Sequence, residues 1–328
     1  MFPKAAFLQK RCKNKKNNDY STIFVTNFYS MDILITNDDG YQAKGIKILT
    51  EIMCQFGSLT VIAPKKHQSG MSMAVSLGLK QIAYKELSSE EVEEKTWPTG
   101  KSCGRCDTGA KWSYLDATPA SCVKFGLNTI FEKKFPDVVV SGINHGSNAT
   151  AASCYSGTLG AAQEAAVNGI PAIGVSLATL NPDADFSAVE KYFPDIFRMI
   201  MSNLPGKRGI YYNVNFPDIP ADRIKGIRTG FQGKGRWVRE FKHWDPDVYR
   251  HLGITPELLG QSSCPETEPG EELFMMVGDY LDDPDNTRRS DHWIMNEGYI
   301  SIVAHNIDTT DYGEVERIGR LGFDMDFR

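Results

Sequence analysis

No run of about 18 consecutive apolar residues, the length that crosses a bilayer, occurs in the 328-residue sequence, which excludes a membrane-spanning helix. The first 30 residues lack the unbroken apolar core of a secretory signal, because Lys10 to Asn18 is polar and basic. Organised cysteine is scarce too: the seven cysteines are odd in number and scattered, the pattern of reduced thiols in a cytoplasmic protein rather than of a disulfide framework. Cys103 and Cys106 form a lone C-x-x-C in a Gly-bearing stretch, with no second pair at zinc-ligand spacing, and read as incidental. Clustered positive charge is absent beyond the N-terminus. Residues 1–30 hold six Lys and Arg against Asp19, a net +5; the chain as a whole is −5, so the other residues carry −10. Such a globule is unsuited to gripping nucleic-acid backbones. A phosphate ligand would need a local device, a metal or a helix N-terminus.

What is present is an ordinary globular mixture, 41% hydrophobic and 23% charged, enough to bury a core. The length exceeds the roughly 100–200 residues of an average domain but suits one α/β domain with additions. Residues 1–30, rich in Lys and Asn, read as an extension outside the globule, with an organellar targeting segment as the alternative. From Met31 the pattern alternates: a buried strand at Asp32–Thr36, an amphipathic helix at Gly45–Gln55, a strand at Leu59–Ala63, a helix at Ala120–Phe131, a strand at Asp137–Val140, an Ala-rich helix at Gly157–Asn168, a strand at Ala172–Leu177, a helix at Phe186–Met201 and a strand at Gly209–Val214. Short apolar strands joined by helices predict a doubly wound, mainly parallel α/β sheet across residues 31–217. Residues 80–115 read as an insertion on an edge, with an acidic helical stretch at Ser88–Lys95. Residues 218–328 read as a β-rich lobe or arm, with strands at Ile224–Thr229, Phe274–Val277 and Tyr299–Val303.

In an open α/β sheet, ligands bind beyond the carboxyl ends of the strands. Three such tips are polar and Gly-bearing: Asn37-Asp38-Asp39-Gly40, Pro64 to Gly70, and Ser141 to Asn148. Adjacent Asp38 and Asp39 repel unless a cation or a proton neutralises them. With Ser69 and Asn144 from neighbouring tips the donors are all oxygen, a set suited to a hard divalent cation and not to thiolate zinc. The same pair can instead cap the helix near Gly45. Tyr155-Ser156-Gly157-Thr158 leads into the Ala-rich helix, whose N-terminus suits a phosphate or simply carries a Ser or Thr cap.

Together these tips resemble one family. Asn37-Asp38-Asp39-Gly40 with Ala43 and Gly45, Ala63-Pro64 with His67-Gln68-Ser69-Gly70, Pro136 to Asn144, and Tyr155-Ser156-Gly157-Thr158 are similar to the SurE-type survival proteins, from Met31 to about Leu177, and Tyr299-Ile300-Ser301-Ile302 continues the likeness. The resemblance implies a Rossmann-like three-layer sandwich with a C-terminal extension interlocked between protomers, as a homodimer or homotetramer. It implies hydrolysis of nucleoside 5′-monophosphates, with 3′-nucleotides and short polyphosphate as further substrates, using one Mg²⁺ or Mn²⁺ per subunit on Asp38, Asp39, Ser69 and Asn144. Asp38 and Asp39 are the expected catalytic residues, Asp38 as the acceptor of the water's proton. Asn37, Gly142, Asn144, Ser156, Gly157 and Thr158 are expected at the substrate phosphate. His145 reads as a rim residue, with general acid as the alternative, and Asp291 as structural. The chain departs from the family at Ala117-Thr118-Pro119-Ala120-Ser121-Cys122, where Ser121 replaces a carboxylate. That departure keeps open a phosphatase for another ester, or a nucleotide-binding regulator without turnover.

Overall fold

The computed structural model describes residues 30–76, 81–96, 109–181, 183–251, 256, 262, 264–323 and 325; Cys103 and Cys106 lie outside them. In chain order the elements are β1 (Met31–Thr36), α1 (Lys44–Met53), β2 (Gly57–Pro64), β3 (Tyr84–Leu87), α2 (Ser89–Thr96), β4 (Lys111–Leu115), α3 (Pro119–Phe125), β5 (Val138–His145), α4 (Ala152–Tyr155), α5 (Gly157–Val167), β6 (Ala172–Leu177), α6 (Ser187–Ser202), β7 (Ile210–Phe216), β8 (Ile227–Gly230), β9 (Gly235–Val238), β10 (Phe241–His243), α7 (Pro246–His251), β11 (Phe274–Met276), β12 (Asp279–Asp282), α8 (Asp291–Asn296), β13 (Ile300–Asn306) and α9 (Tyr312–Ile318). Among the described residues no helix is long and apolar enough to cross a membrane.

Nine strands form one sheet in the order β3-β4-β2-β1-β5-β6-β7-β13-β8. The six from β4 to β7 run parallel, each pairing in register with its neighbour. Their apolar runs are buried on both faces, as a covered parallel sheet requires. The pleat sends Ile33, Ile35, Val61, Val138 and Val140 to the face covered by α1 and α6, and Leu34, Ile62 and Val139 to the face covered by α3 and α5. On that second face α5 presents Ala161, Ala162, Ala165 and Ala166, small enough to bring its axis close to the sheet. After β1 the chain builds outward through β2 and β4, then returns to the other side of β1 for β5, β6 and β7. The strand order therefore reverses at β1 and β5, where a crevice opens.

Three expectations shift. The stretch read as an insertion ends in β4, which pairs parallel with β2; five residues after a Gly- and Cys-bearing stretch of sequence are too short a run to stand out as a strand. The strand expected to stop at Val140 continues to His145 through a register shift between Ser141 and Asn144. The C-terminal region is not a separate lobe throughout, since β13 joins the main sheet antiparallel to β7 and carries β8 beside it. The rest of it is an arm, in which β9 pairs with β12 and β10 with β11 to make a two-stranded ribbon.

One close approach fixes α1 on β5: a Cβ at Gly45 would lie 2.0 Å from the carbonyl oxygen of Ile143. Gly45→Ala is expected to lower the unfolding free energy by about 1–3 kcal/mol in urea titration, because neither backbone has room to retreat; an unchanged midpoint would show that helix and strand are not in this contact.

Candidate functional site

The tip of β1 is a closed turn. Asn37 is buried and its side-chain amide donates to the Gly40 carbonyl at 2.9 Å, while Gly40 takes the left-handed backbone (φ 96°) that lets the chain double back beside Pro64 and Lys66. Two backbone bonds tie this tip to the tip of β2: Gln68 N–H donates to the Asp38 carbonyl at 2.7 Å and Tyr41 N–H to that of Pro64 at 3.0 Å.

Asp38 and Asp39 project from that turn into the crevice. The Asp38 carboxylate is buried and accepts from Thr158 Oγ1 at 2.6 Å. Burial first, and the neighbouring Asp39 carboxylate second, push Asp38 up to about 7. Gly157 lets α5 come this near, since a Cβ there would lie 2.8 Å from Asp38 Cβ. Asp39 accepts from the backbone N–H of His145 at 3.2 Å, with His67 Nδ1 at 3.5 Å and His145 Nδ1 at 3.8 Å from its two oxygens. Among the described residues no Lys or Arg lies within ion-pair distance of either aspartate. Asn144, also buried, donates through its side-chain amide to the Gly146 carbonyl at 2.8 Å, which leaves its Oδ1 as an acceptor.

Ser69 is exposed on the β2 tip, next to Gln68, and the loop that follows is pinned from two sides. Ser72 donates through its backbone N–H to the Tyr155 carbonyl and through Oγ to that of Cys154. At the start of α3, Thr118 Oγ1 donates to the Ala74 carbonyl and Ser121 Oγ accepts from Ser76 N–H at 2.8 Å. The hydroxyl of Ser121 thus supplies an acceptor at the position where the resembling family has a carboxylate.

These contacts test whether the residues suit a divalent cation. Two neighbouring carboxylates, Asp38 buried and Asp39 partly so, with no Lys or Arg partner among the described residues, an amide oxygen and a hydroxyl are a hard, oxygen-only donor set, and they fit Mg²⁺ or Mn²⁺.

Several residues expected at the substrate phosphate have partners within the protein. Thr158 is fully buried and its hydroxyl serves Asp38; Ser156 Oγ caps α5 by accepting from Leu159 N–H; Asn37 closes its own turn. Gly142 (φ 138°) lies inside the sheet, where a Cβ would be 2.3 Å from the Val175 carbonyl oxygen. The positive end of α5 is answered first by a protein carboxylate, the anion nearest to it. His145 packs its ring edge against Phe186 at 5.1 Å. A cavity of about 820 Å³ at the opposite ends of β1 and β2, lined in part by Asp32, Gln55 and Phe56, holds none of the strand-tip residues.

Beneath the β5 tip lies a buried amide network absent from the sequence reading. Asn148 N–H donates to Asn215 Oδ1 and its side-chain amide to Ser176 Oγ; Asn213 donates to the Asn148 carbonyl, and Asn215 to Asn213. Its signal was available: Asn213-Val214-Asn215 places two amides two residues apart, on one face of a strand that is otherwise apolar or aromatic.

Comparison with known proteins gives one answer. The family model for survival protein SurE matches residues 33–239. The 5′-nucleotidase SurE of Cytophaga hutchinsonii is 34% identical over 296 residues, covering 90% of this chain and 97% of its own length, and that of Christiangramia forsetii is 34% identical over 280 residues, covering 85% and 92%. Among solved structures, the SurE protein from Aquifex aeolicus superposes with a TM-score of 0.65 at 26% identity, over 89% of this chain and 99% of that one.

Two substitutions test the buried pair in the presence of chelator, with opposite signs. Asp38→Asn keeps an oxygen for Thr158 and removes the repulsion with Asp39, so the unfolding free energy should rise by on the order of 1–3 kcal/mol. Thr158→Val strips the carboxylate of its hydroxyl donor and should lower it by about 1–3 kcal/mol. Urea titration reads both, and a fall for Asp38→Asn would mean that the two carboxylates do not strain one another.

Proposed function

Because the chain belongs to the family of survival protein SurE, we propose that it hydrolyses nucleoside 5′-monophosphates to nucleoside and phosphate with one Mg²⁺ or Mn²⁺ per subunit. The observation that carries this reading is the pair Asp38 and Asp39, Asp38 buried and Asp39 partly so, side by side at the switch point of the sheet with no Lys or Arg partner among the described residues. Asp38, Asp39, Ser69 and Asn144 are the residues we assign to the cation. Bound there, a divalent cation supplies positive charge against a phosphoryl oxygen and a lowered pKa for water. Asp38, oriented by Thr158, is the carboxylate assigned to the attacking water, and Asp39 is its partner in holding the charge. The pinned loops on either side keep these groups in place before substrate arrives, which is where a positioned site gains over solution.

The base end follows from exposure. Of the aromatic residues near the tips, Tyr41 is 7% and Trp112 9% exposed, whereas Tyr155 is 61% exposed at the entry to α5, with half-exposed Met71 brought alongside by the bond from Ser72 to the Tyr155 carbonyl. Tyr155 is therefore assigned to stacking on the nucleobase. A binding-only protein finds little support in Ser121, whose hydroxyl still holds Ser76. Other phosphate monoesters, 3′-nucleotides and short polyphosphate fall within the same chemistry. A homodimer or homotetramer is supported by the exposed apolar residues Phe241, Phe274 and Met276 on the arm, and a cytoplasmic setting by the reduced thiols at Cys122, Cys154 and Cys264.

Release of phosphate from AMP should require Mg²⁺ or Mn²⁺ and stop on chelation. Loss of a ligand should cost more than the roughly 10–100-fold typical of outer-shell partners, so Asp39→Asn and Asn144→Ala should fall below that range. Full activity in chelator, or in Asp39→Asn, contradicts the proposal. Tyr155→Ala should raise KM for AMP about 5–100-fold, the equivalent of about 1–3 kcal/mol of stacking, and leave ribose 5-phosphate, which has no base, unaffected. Equal losses on both substrates would remove Tyr155 from the base site.

A further inference from the structure

Asp291 is 0% exposed, and its carboxylate collects three backbone N–H groups, two from separate segments and one from the next residue of its own helix. Oδ2 accepts from Thr150 at 3.0 Å; Oδ1 accepts from Gly233 at 3.0 Å and from His292 at 2.8 Å. Thr150 belongs to the loop that continues from β5 past Asn144, Gly233 lies at the root of the arm, and His292 is in the first turn of α8. The root and α8 are also joined directly, by Phe231 N–H to the Arg289 carbonyl and Asp291 N–H to the Phe231 carbonyl.

The junction has little slack. A Cβ on Gly233 would come within 2.6 Å of His292 Nδ1 and 2.9 Å of Thr150 Cγ2. Thr150 is held at φ 56°, a conformation a β-branched residue adopts only when its surroundings impose it. The bond to Asp291 is one such constraint. The other end of the loop is held by the Asn148 network on β6 and β7. The chain leaves β5 through Gly146, whose carbonyl accepts from the Asn144 side-chain amide, and then reaches the two anchors in turn, Asn148 and Thr150.

We propose that Asp291 is a positioning residue for the β5 tip that carries Asn144, and that through the same carboxylate the arm root and the segment following that tip form one mechanical unit. Binding of a divalent cation at the β5 tip then tightens the arm root, and loosening the arm root weakens the cation, because coupling between two sites is reciprocal. The inference rests on the assignment of Asn144 as a ligand.

The test titrates the full-length protein with Mn²⁺ alone by calorimetry and assays AMP hydrolysis in parallel. In Asp291→Asn one acceptor oxygen becomes an N–H₂ facing an N–H, so either Thr150 or Gly233 loses its acceptor and the link between the two segments is broken. The Mn²⁺ dissociation constant should rise about 10–100-fold and kcat fall, with KM for AMP unchanged. Glu164→Gln, which disturbs the buried carboxylate that Lys124 and Asn168 satisfy on α5, should lose stability and keep wild-type Mn²⁺ affinity. A folded Asp291→Asn protein with wild-type Mn²⁺ affinity overturns the inference. Wild-type protein that binds no Mn²⁺ overturns the cation assignment, and this inference with it. Should Asp291→Asn not fold, amide exchange in the wild type decides: Mn²⁺ should slow exchange at both Thr150 and Gly233, and protection at the β5 tip without any at Gly233 rejects the coupling.

Discussion

Two carboxylates held side by side out of water are the constraint around which the rest of this molecule is arranged. Asp38 and Asp39 follow directly from the buried strand β1, so the fold gives them no freedom to separate. Burial and mutual repulsion both disfavour their ionised forms, as the upward push on Asp38 records. A protein carries such an arrangement only when something else uses it. The surrounding contacts follow the same logic: Gly157 brings the positive end of α5 against Asp38, Thr158 donates to it, and the His145 backbone donates to Asp39. Each contact offsets part of the charge without supplying a full cation.

The supports are graded by distance from that pair. Nearest are single hydroxyl and backbone donors. Behind them the strand tips are sewn together by backbone bonds and by hydroxyls such as Thr118 and Ser121. Beneath the β5 tip the Asn148–Asn213–Asn215 network sits within the sheet itself. A buried polar network is costly if half satisfied and rigid if complete; here the described bonds link three amides and a serine in sequence, so the loop above them inherits the stiffness of the sheet. The hairpin arm enters at the outermost level, through Asp291.

Much of this was legible in the sequence, for a physical reason. Central parallel strands must be apolar on both faces, so β1, β2, β5 and β6 are dense aliphatic runs, and their tips are polar where ligands bind. Asp38, Asp39, Asn144 and Ser69 could be selected on that basis. Three kinds of feature were hidden. β4 is five residues after a Gly- and Cys-bearing stretch of sequence, with too little pattern to declare itself. The return of β13 to pair with β7 depends on long-range topology, which local periodicity does not encode. The roles of Thr158 and Asp291 depend on which partner a polar group meets across more than a hundred residues of chain; Ser and Thr at a helix start look alike whether they face a ligand, the backbone, as Ser156 does, or a carboxylate.

Among the described residues no Lys or Arg stands beside the aspartates. A buried lysine or arginine would satisfy Asp38 and Asp39 permanently, with a Coulombic grip strengthened by the low dielectric of the crevice, and would convert the pair into a structural ion pair. Leaving the charge unanswered keeps the oxygens available to an exchangeable cation, at a cost in stability drawn from a core large enough to bear it. The net charge of the chain then stops being a paradox. An acidic protein repels phosphate esters as a whole; under the proposed function, the two carboxylates at the β1 tip would gather the cation through which a single phosphate is held.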